Sequence, residues 1–184
     1  MRHEVIMAGF GGQGMMLAGQ LLAYAGMLEG KYVSWYPSYG PEMRGGTANC
    51  TVVVADEPVA SPVVSRASAV IAMNRPSLER FEGTLAPGGV LVYNSTLIEQ
   101  GPTRTDIKAV PVPANALADE LGDKRVANMV VLGALLAVTG VAKPESVVAS
   151  LRKTLPERRQ NLIPLNEQAL AKGAEAAQGA AAKA

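Results

Sequence analysis

The sequence predicts a three-layer α/β/α domain on a mostly parallel central sheet of about five strands. Two observations lead there. Short apolar runs end at glycine or turn residues, and in the opening third a helical pattern lies between two of them. In addition, 48% of the 184 residues are hydrophobic, which is enough for one sizeable core and too little for two independent ones.

Taken in order, Val5 to Ala8 is an apolar strand that stops at a glycine cluster, and Met15 to Leu28 puts Leu17, Leu21, Tyr24 and Leu28 on one face of a helix. Gly30 is a helix stop, and Tyr32 to Tyr36 is rich in β-formers, so the chain returns to the sheet in the parallel sense of a βαβ unit. Pro37 to Gly46 holds two prolines and three glycines and reads as an exposed loop. Thr47 to Ala55 is a strand closed by the turn Asp56-Glu57-Pro58. Ser68 to Met73 and Gly89 to Asn94 are further strands, with a short helix near Ser77 to Glu82 between them. Beyond Pro113 the pattern is helical. Asn115 is placed as the N-cap of a helix to Leu121, Val126 to Thr139 is a buried helix, and Glu145 to Leu155 follows the Pro144 start. Residues 1–171 are read as one α/β domain and 172–184 as an alanine- and glycine-rich tail, frayed or disordered, because it offers little apolar bulk.

The net charge of +1, with both signs interspersed, marks neither a nucleic-acid nor a membrane surface. Cys50 is the single cysteine, so neither an intrachain disulfide nor a cysteine-ligated cluster or zinc site is expected, and a reducing cytoplasmic setting fits. The N-terminal residues lack the apolar core of a secretory signal. Val126 to Ala142 is uncharged but shorter than the roughly 20 residues of a membrane helix.

Gly9-Phe10-Gly11-Gly12-Gln13-Gly14 lies between the first strand and first helix, where backbone N–H groups and the positive helix end converge on an anion such as phosphate. Gly9, Gly11 and Gly14 have dinucleotide-site spacing, but Trp35-Tyr36-Pro37 stands where the acidic ribose ligand belongs. Met15-Met16 occupies the place of the P-loop lysine and hydroxyl, which argues against nucleotide hydrolysis. The plainer alternative is that these glycines only make a tight turn.

The second loop, Pro37 to Gly46, is expected on the same carboxyl edge, so that the two loops share a crevice. There Arg44 offers a planar cation for phosphate or carboxylate, Glu42 orients it or pairs with another chain, and Tyr39 presents a ring and a hydroxyl. Alternatively, an Arg44–Glu42 pair merely stiffens the loop. The candidate ligand-binding residues are therefore Gly9, Gly11, Gly12, Gln13, Gly14, Tyr39, Glu42, Arg44, Gly45 and Gly46.

The glycine loop, followed by Tyr39-Gly40-Pro41-Glu42-Met43-Arg44-Gly45-Gly46-Thr47-Ala48-Asn49-Cys50, resembles the gamma subunit of 2-oxoacid:ferredoxin oxidoreductases. The similarity continues through Val92-Tyr93-Asn94-Ser95 and Asn128-Met129-Val130-Val131-Leu132-Gly133. The second loop is most similar to the 2-oxoglutarate branch, then to the branched-chain 2-oxoacid branch. The resemblance implies an α/β subunit of a heteromeric enzyme that decarboxylates a 2-oxoacid oxidatively, passes electrons to ferredoxin and captures the acyl group on coenzyme A. It implies no cofactor bound by this chain alone: thiamine diphosphate and magnesium belong to alpha and beta subunits, and iron–sulfur clusters to beta or a ferredoxin-like subunit. Contact with coenzyme A is expected at the two loops, with no catalytic residue here and the isolated chain inactive, a homodimer being one form open to it. Two other readings remain: a stand-alone enzyme for a phosphorylated cofactor, and a purely structural assembly subunit.

Among other residues, His3 is read as a surface or cap residue, Cys50 as core filling, and Met15, Met16, Met43 and Met129 as packing or interface fillers. Asn94-Ser95 is either a ligand contact or a turn cap. Trp35 and Tyr36 face either a neighbouring subunit or the core.

Overall fold

The computed structural model of the protein describes residues 1–39 and 46–181. The strands are β1 (Arg2–Phe10), β2 (Tyr32–Tyr39), β3 (Thr47–Ala55), β4 (Ala67–Ala72), β5 (Leu85–Asn94) and β6 (Lys108–Val112). The helices are α1 (Met15–Leu28), α2 (Arg75–Phe81), α3 (Ala114–Glu120), α4 (Ala127–Thr139), α5 (Pro144–Thr154) and α6 (Ile163–Ala181). One six-stranded sheet runs in the order β2-β3-β1-β4-β5-β6, one strand more than expected. The addition is β6, whose Pro111 and short apolar alternation left it without a legible strand pattern.

β1, β4, β5 and β6 pair in parallel, while β3 lies antiparallel between β1 and β2. β2 therefore keeps the direction of β1, as a βαβ unit requires, but is displaced one place by the inserted strand. β2 also extends through Tyr39, beyond the expected loop start, because Pro37 sits on an edge strand where a missing N–H costs no ladder bond.

Both faces of the central strands are covered, which is why they read as continuous apolar runs. Val5 and Met7 of β1, Ala69 and Ile71 of β4 and Val92 of β5 face a large cluster shared with α1, α4 and the helices outside them. Ile6, Val70, Ala72 and Leu91 face a smaller cluster with Leu78 of α2 and Ile98. The helical layers are thus unequal. In α1 the buried face is the small-residue one, Ala18, Leu22, Ala25 and Gly26 with Leu21, whereas Leu17, Tyr24 and Leu28 of the expected apolar face are exposed. Trp35 packs toward this core, and Tyr36 on the opposite sheet face is 53% exposed.

Residues 172–181 of the tail expected to fray form the second half of α6, and 182–184 lie outside the described residues. Ala177 is fully buried, and an added methyl on Gly173 would overlap the Val130 carbonyl of α4. The same holds for Gly133 of α4 against Leu170. Small side chains here permit close helix approach, so the low bulk that suggested disorder is what the packing needs. The expected N-cap at Asn115 also moves: α3 begins at Ala114, and the Asn115 side chain serves a neighbouring strand end. Among the described residues no helix is long and apolar enough to cross a membrane.

Candidate functional site

The carboxyl ends of β1 and β2 and the start of β3 meet at one edge, since Phe10 pairs with Thr47 and Tyr39 with Ala48. The Gly11 N–H donates to the Gly46 carbonyl at 2.9 Å, so the structure brings the glycine loop against the end of the second loop. Glu42, Arg44 and Gly45, with the rest of 40–45, lie outside the described residues. Tyr39 stands at the loop's start, 70% exposed.

Within the glycine loop, Gly12 and Gly14 have φ of 90° and 77°, left-handed values that carry a penalty for any residue with a Cβ. Gly14 caps α1, and its carbonyl accepts the Asn128 Nδ2–H at 3.2 Å, which ties the first turn of α4 to the loop. The Gln13 N–H donates to the Phe10 carbonyl at 3.1 Å, closing the turn. The Gln13 Oε1 accepts from the Phe10 N–H at 2.7 Å and from Asn74 Nδ2 at 2.9 Å. Gly9 leaves room for that oxygen, because a Cβ there would sit 2.7 Å from it. Among the described residues the N–H groups of Gly12 and Gly14 make no hydrogen bond, and they lie at the positive end of a 14-residue helix.

Two further buried amides lie at strand ends, Asn74, which sequence reasoning missed, and Asn94, which it weighed as a ligand contact or a turn cap. Asn74 caps α2 through Oδ1, which accepts from the Ser77 N–H at 3.0 Å. Its cap role was legible in Asn74-Arg75-Pro76, a helix-start signature. Asn94, fully buried, donates to Asn115 Oδ1 at 2.6 Å and to the Met73 carbonyl at 3.3 Å, and accepts from the Ala114 and Thr96 N–H groups. Its side-chain hydrogen bonds are all internal, which favours the turn cap over a ligand contact.

Cys50 is fully buried and donates to the Met15 carbonyl at 3.4 Å, and burial pushes its thiol up to about 12. Two consequences can be measured. The folded protein should not react with a thiol-disulfide reagent at pH 8 until unfolded. Above its ordinary value of 9.0 the unfolded thiol ionises while the folded one does not, so this group's contribution to stability falls as pH rises from about 9 toward 12. His3, opposite Val54 at the other end of β1, is held below its ordinary pKa mainly by burial and is remote from the loop.

A trough of about 650 Å³ between α4, α5 and α6 is lined mainly by apolar residues such as Gly133, Ala137, Val148 and Ala174, with Arg152 and Glu167 3.7 Å apart across it. No buried polar group converges there, so the glycine-loop edge remains the better candidate. Among the described residues no group of three or more metal-ligating side chains occurs.

The family model described as pyruvate ferredoxin/flavodoxin oxidoreductase matches residues 4–176. A ketoisovalerate oxidoreductase subunit VorA of Methanothermobacter thermautotrophicus is 39% identical over 172 residues, 94% of this chain but 36% of that protein. The chain thus spans about a third of the length of that relative. A 2-oxoglutarate synthase subunit KorC of Methanothermobacter marburgensis is 35% identical, covering 85% of this chain and 88% of its own. Among solved structures, the gamma subunit of a keto/oxoacid ferredoxin oxidoreductase from Geobacter sulfurreducens superposes with a TM-score of 0.86 at 31% identity over 98% of both chains. A 2-oxoglutarate:ferredoxin oxidoreductase from Magnetococcus marinus, with 2-oxoglutarate, coenzyme A and succinyl-CoA bound, shares the fold over 97% of this chain and 31% of that one, with a TM-score of 0.88 at 23% identity.

Proposed function

Since this chain belongs to the pyruvate ferredoxin/flavodoxin oxidoreductase family, we propose that it is the gamma component of a 2-oxoacid:ferredoxin oxidoreductase and that its two loops receive the phosphates of coenzyme A. One observation carries the coenzyme A reading: the Gly11–Gly46 hydrogen bond joins the loops, while the Gly12 and Gly14 amides beside the α1 N-terminus have no partner among the described residues. Those amides would bind phosphate oxygens, and the Arg44 guanidinium of the second loop would add a charge-assisted, two-pronged contact. Holding the phosphates at this edge would fix where the thiol arm reaches, which is a positioning contribution to acyl capture. Thiamine diphosphate, magnesium and the iron–sulfur clusters supply the decarboxylation and electron transfer and reside, in this reading, on alpha, beta and ferredoxin-like partners, in a cytoplasmic complex with ferredoxin as acceptor.

The wording of the second loop supports 2-oxoglutarate as the substrate. The 39% identity to a ketoisovalerate oxidoreductase subunit supports a branched-chain 2-oxoacid as a second reading. Steady-state rates of the assembled complex with each acid separate the two.

Arg44→Ala is expected to raise the apparent KM of the assembled complex for coenzyme A by about tenfold or more, since even one hydrogen bond to a charged group is worth that much. An unchanged KM in an intact complex would remove Arg44 from this role.

A further inference from the structure

We infer that Asn74 is a positioning residue for the anion site, acting through Gln13 to hold the glycine loop in its binding shape. The inference rests on the coenzyme A reading above. Asn74 is only 3% exposed and lies at the end of β4, the parallel neighbour of β1, so it cannot itself meet a ligand on the loop's outer side. Its two functions divide between its two atoms: Oδ1 accepts from Ser77 N–H and caps α2, and Nδ2 donates to Gln13 Oε1.

The assignment of every amide in this relay follows from hydrogen-bond chemistry. The Phe10 N–H can only donate, so the Gln13 atom 2.7 Å away is its oxygen. The Ser77 N–H likewise fixes the Asn74 oxygen on the helix side at 3.0 Å, which leaves the Asn74 nitrogen facing Gln13 at 2.9 Å. Two donors, one from the residue that caps α2 and one from the last residue of β1, therefore converge on Gln13 Oε1. Gln13 is held from both sides at a point where Gly9 has no Cβ to displace it. Neighbouring Gly12 and Gly14, with left-handed φ, take their orientation from Gln13 between them. Without the Asn74 contact the Gln13 side chain keeps a single anchor, the Phe10 N–H, and the loop samples conformations in which its amides no longer converge.

Asn74→Ser separates the two functions, because serine caps a helix about as well as asparagine but is too short to reach Gln13. In the assembled complex, Asn74→Ser is expected to weaken coenzyme A binding measured by calorimetry about fivefold and to raise the KM for coenzyme A by a similar factor, with kcat and the thermal midpoint unchanged. In the isolated full chain, the Phe10 amide should exchange with solvent faster, while α2 keeps its protection. Added to Gln13→Met, the serine substitution should produce no further loss, since both act through one contact. Unchanged affinity and unchanged Phe10 exchange would overturn the inference, as would additive losses in the double variant. Gly14→Ala run alongside tells the two failures apart: if it weakens binding and Asn74→Ser does not, only the role of Asn74 falls. If neither does, the anion site falls with it.

Discussion

Gly173→Ala should destabilise the fold by about 3 kcal/mol and lower its thermal midpoint by about 6–12 °C. The new methyl would overlap the Val130 carbonyl of α4, a main-chain atom that cannot turn aside as a side chain can, and the reciprocal contact at Gly133 of α4 against Leu170 leaves no slack for α6 to slide. Gly179, six residues later on α6, is exposed, and among the described residues nothing lies within 4 Å of where its Cβ would go. There the same substitution should stabilise by about 0.5–1 kcal/mol, the ordinary helix preference for alanine over glycine. Opposite signs from one substitution at two places on one helix, read by chemical denaturation, are the signature of a packed α6. If Gly173→Ala proves as harmless as Gly179→Ala, the segment beyond Lys172 does not dock on α4.

That contrast also marks where the sequence was readable. The parallel strands were legible because burial on both faces leaves uninterrupted apolar runs such as Val70-Ile71-Ala72, and the edge shared by the two loops followed from the direction of β1 and β2 alone. What stayed hidden depends on partners distant in sequence. The antiparallel insertion of β3 is a property of pairing order, which periodicity does not encode, and β6 is five residues long with a proline inside it. In α1 the larger side chains suggested the buried face, yet the sheet takes the alanine and glycine side, because Cys50, Val54, Val33 and Trp35 already fill the space a larger residue would need at Gly19 and Gly26. In the site, the glycines announced themselves through spacing. Of the amides behind them only Asn94 was singled out, since Asn74, Asn94 and Asn128 are scattered along the chain and find their separate partners only in the folded sheet.

Gly14→Ala should be the most damaging single change to the proposed site, lowering the affinity of the assembled complex for coenzyme A by about thirtyfold. Two costs add at this position. The residue has φ of 77°, which costs an L-residue about 1–2 kcal/mol, and its Cβ would stand 2.5 Å from Asn128 Nδ2 and 2.9 Å from Asn128 Cγ. Relief requires either rotating the peptide out of the left-handed region, which turns the loop amides away, or expelling Asn128, which breaks its 3.2 Å bond to the Gly14 carbonyl and frees the start of α4 from the loop. Gly12→Ala meets no atom of the described residues within 4 Å and carries the φ penalty, so it should weaken binding without disturbing α4. The pair thus separates backbone shape from packing: both variants should raise the KM for coenzyme A, and only Gly14→Ala should also loosen the α4 amides in hydrogen exchange. Full coenzyme A affinity in a folded, assembled Gly14→Ala complex would mean that the phosphates bind elsewhere, leaving these glycines as a tight turn and nothing more.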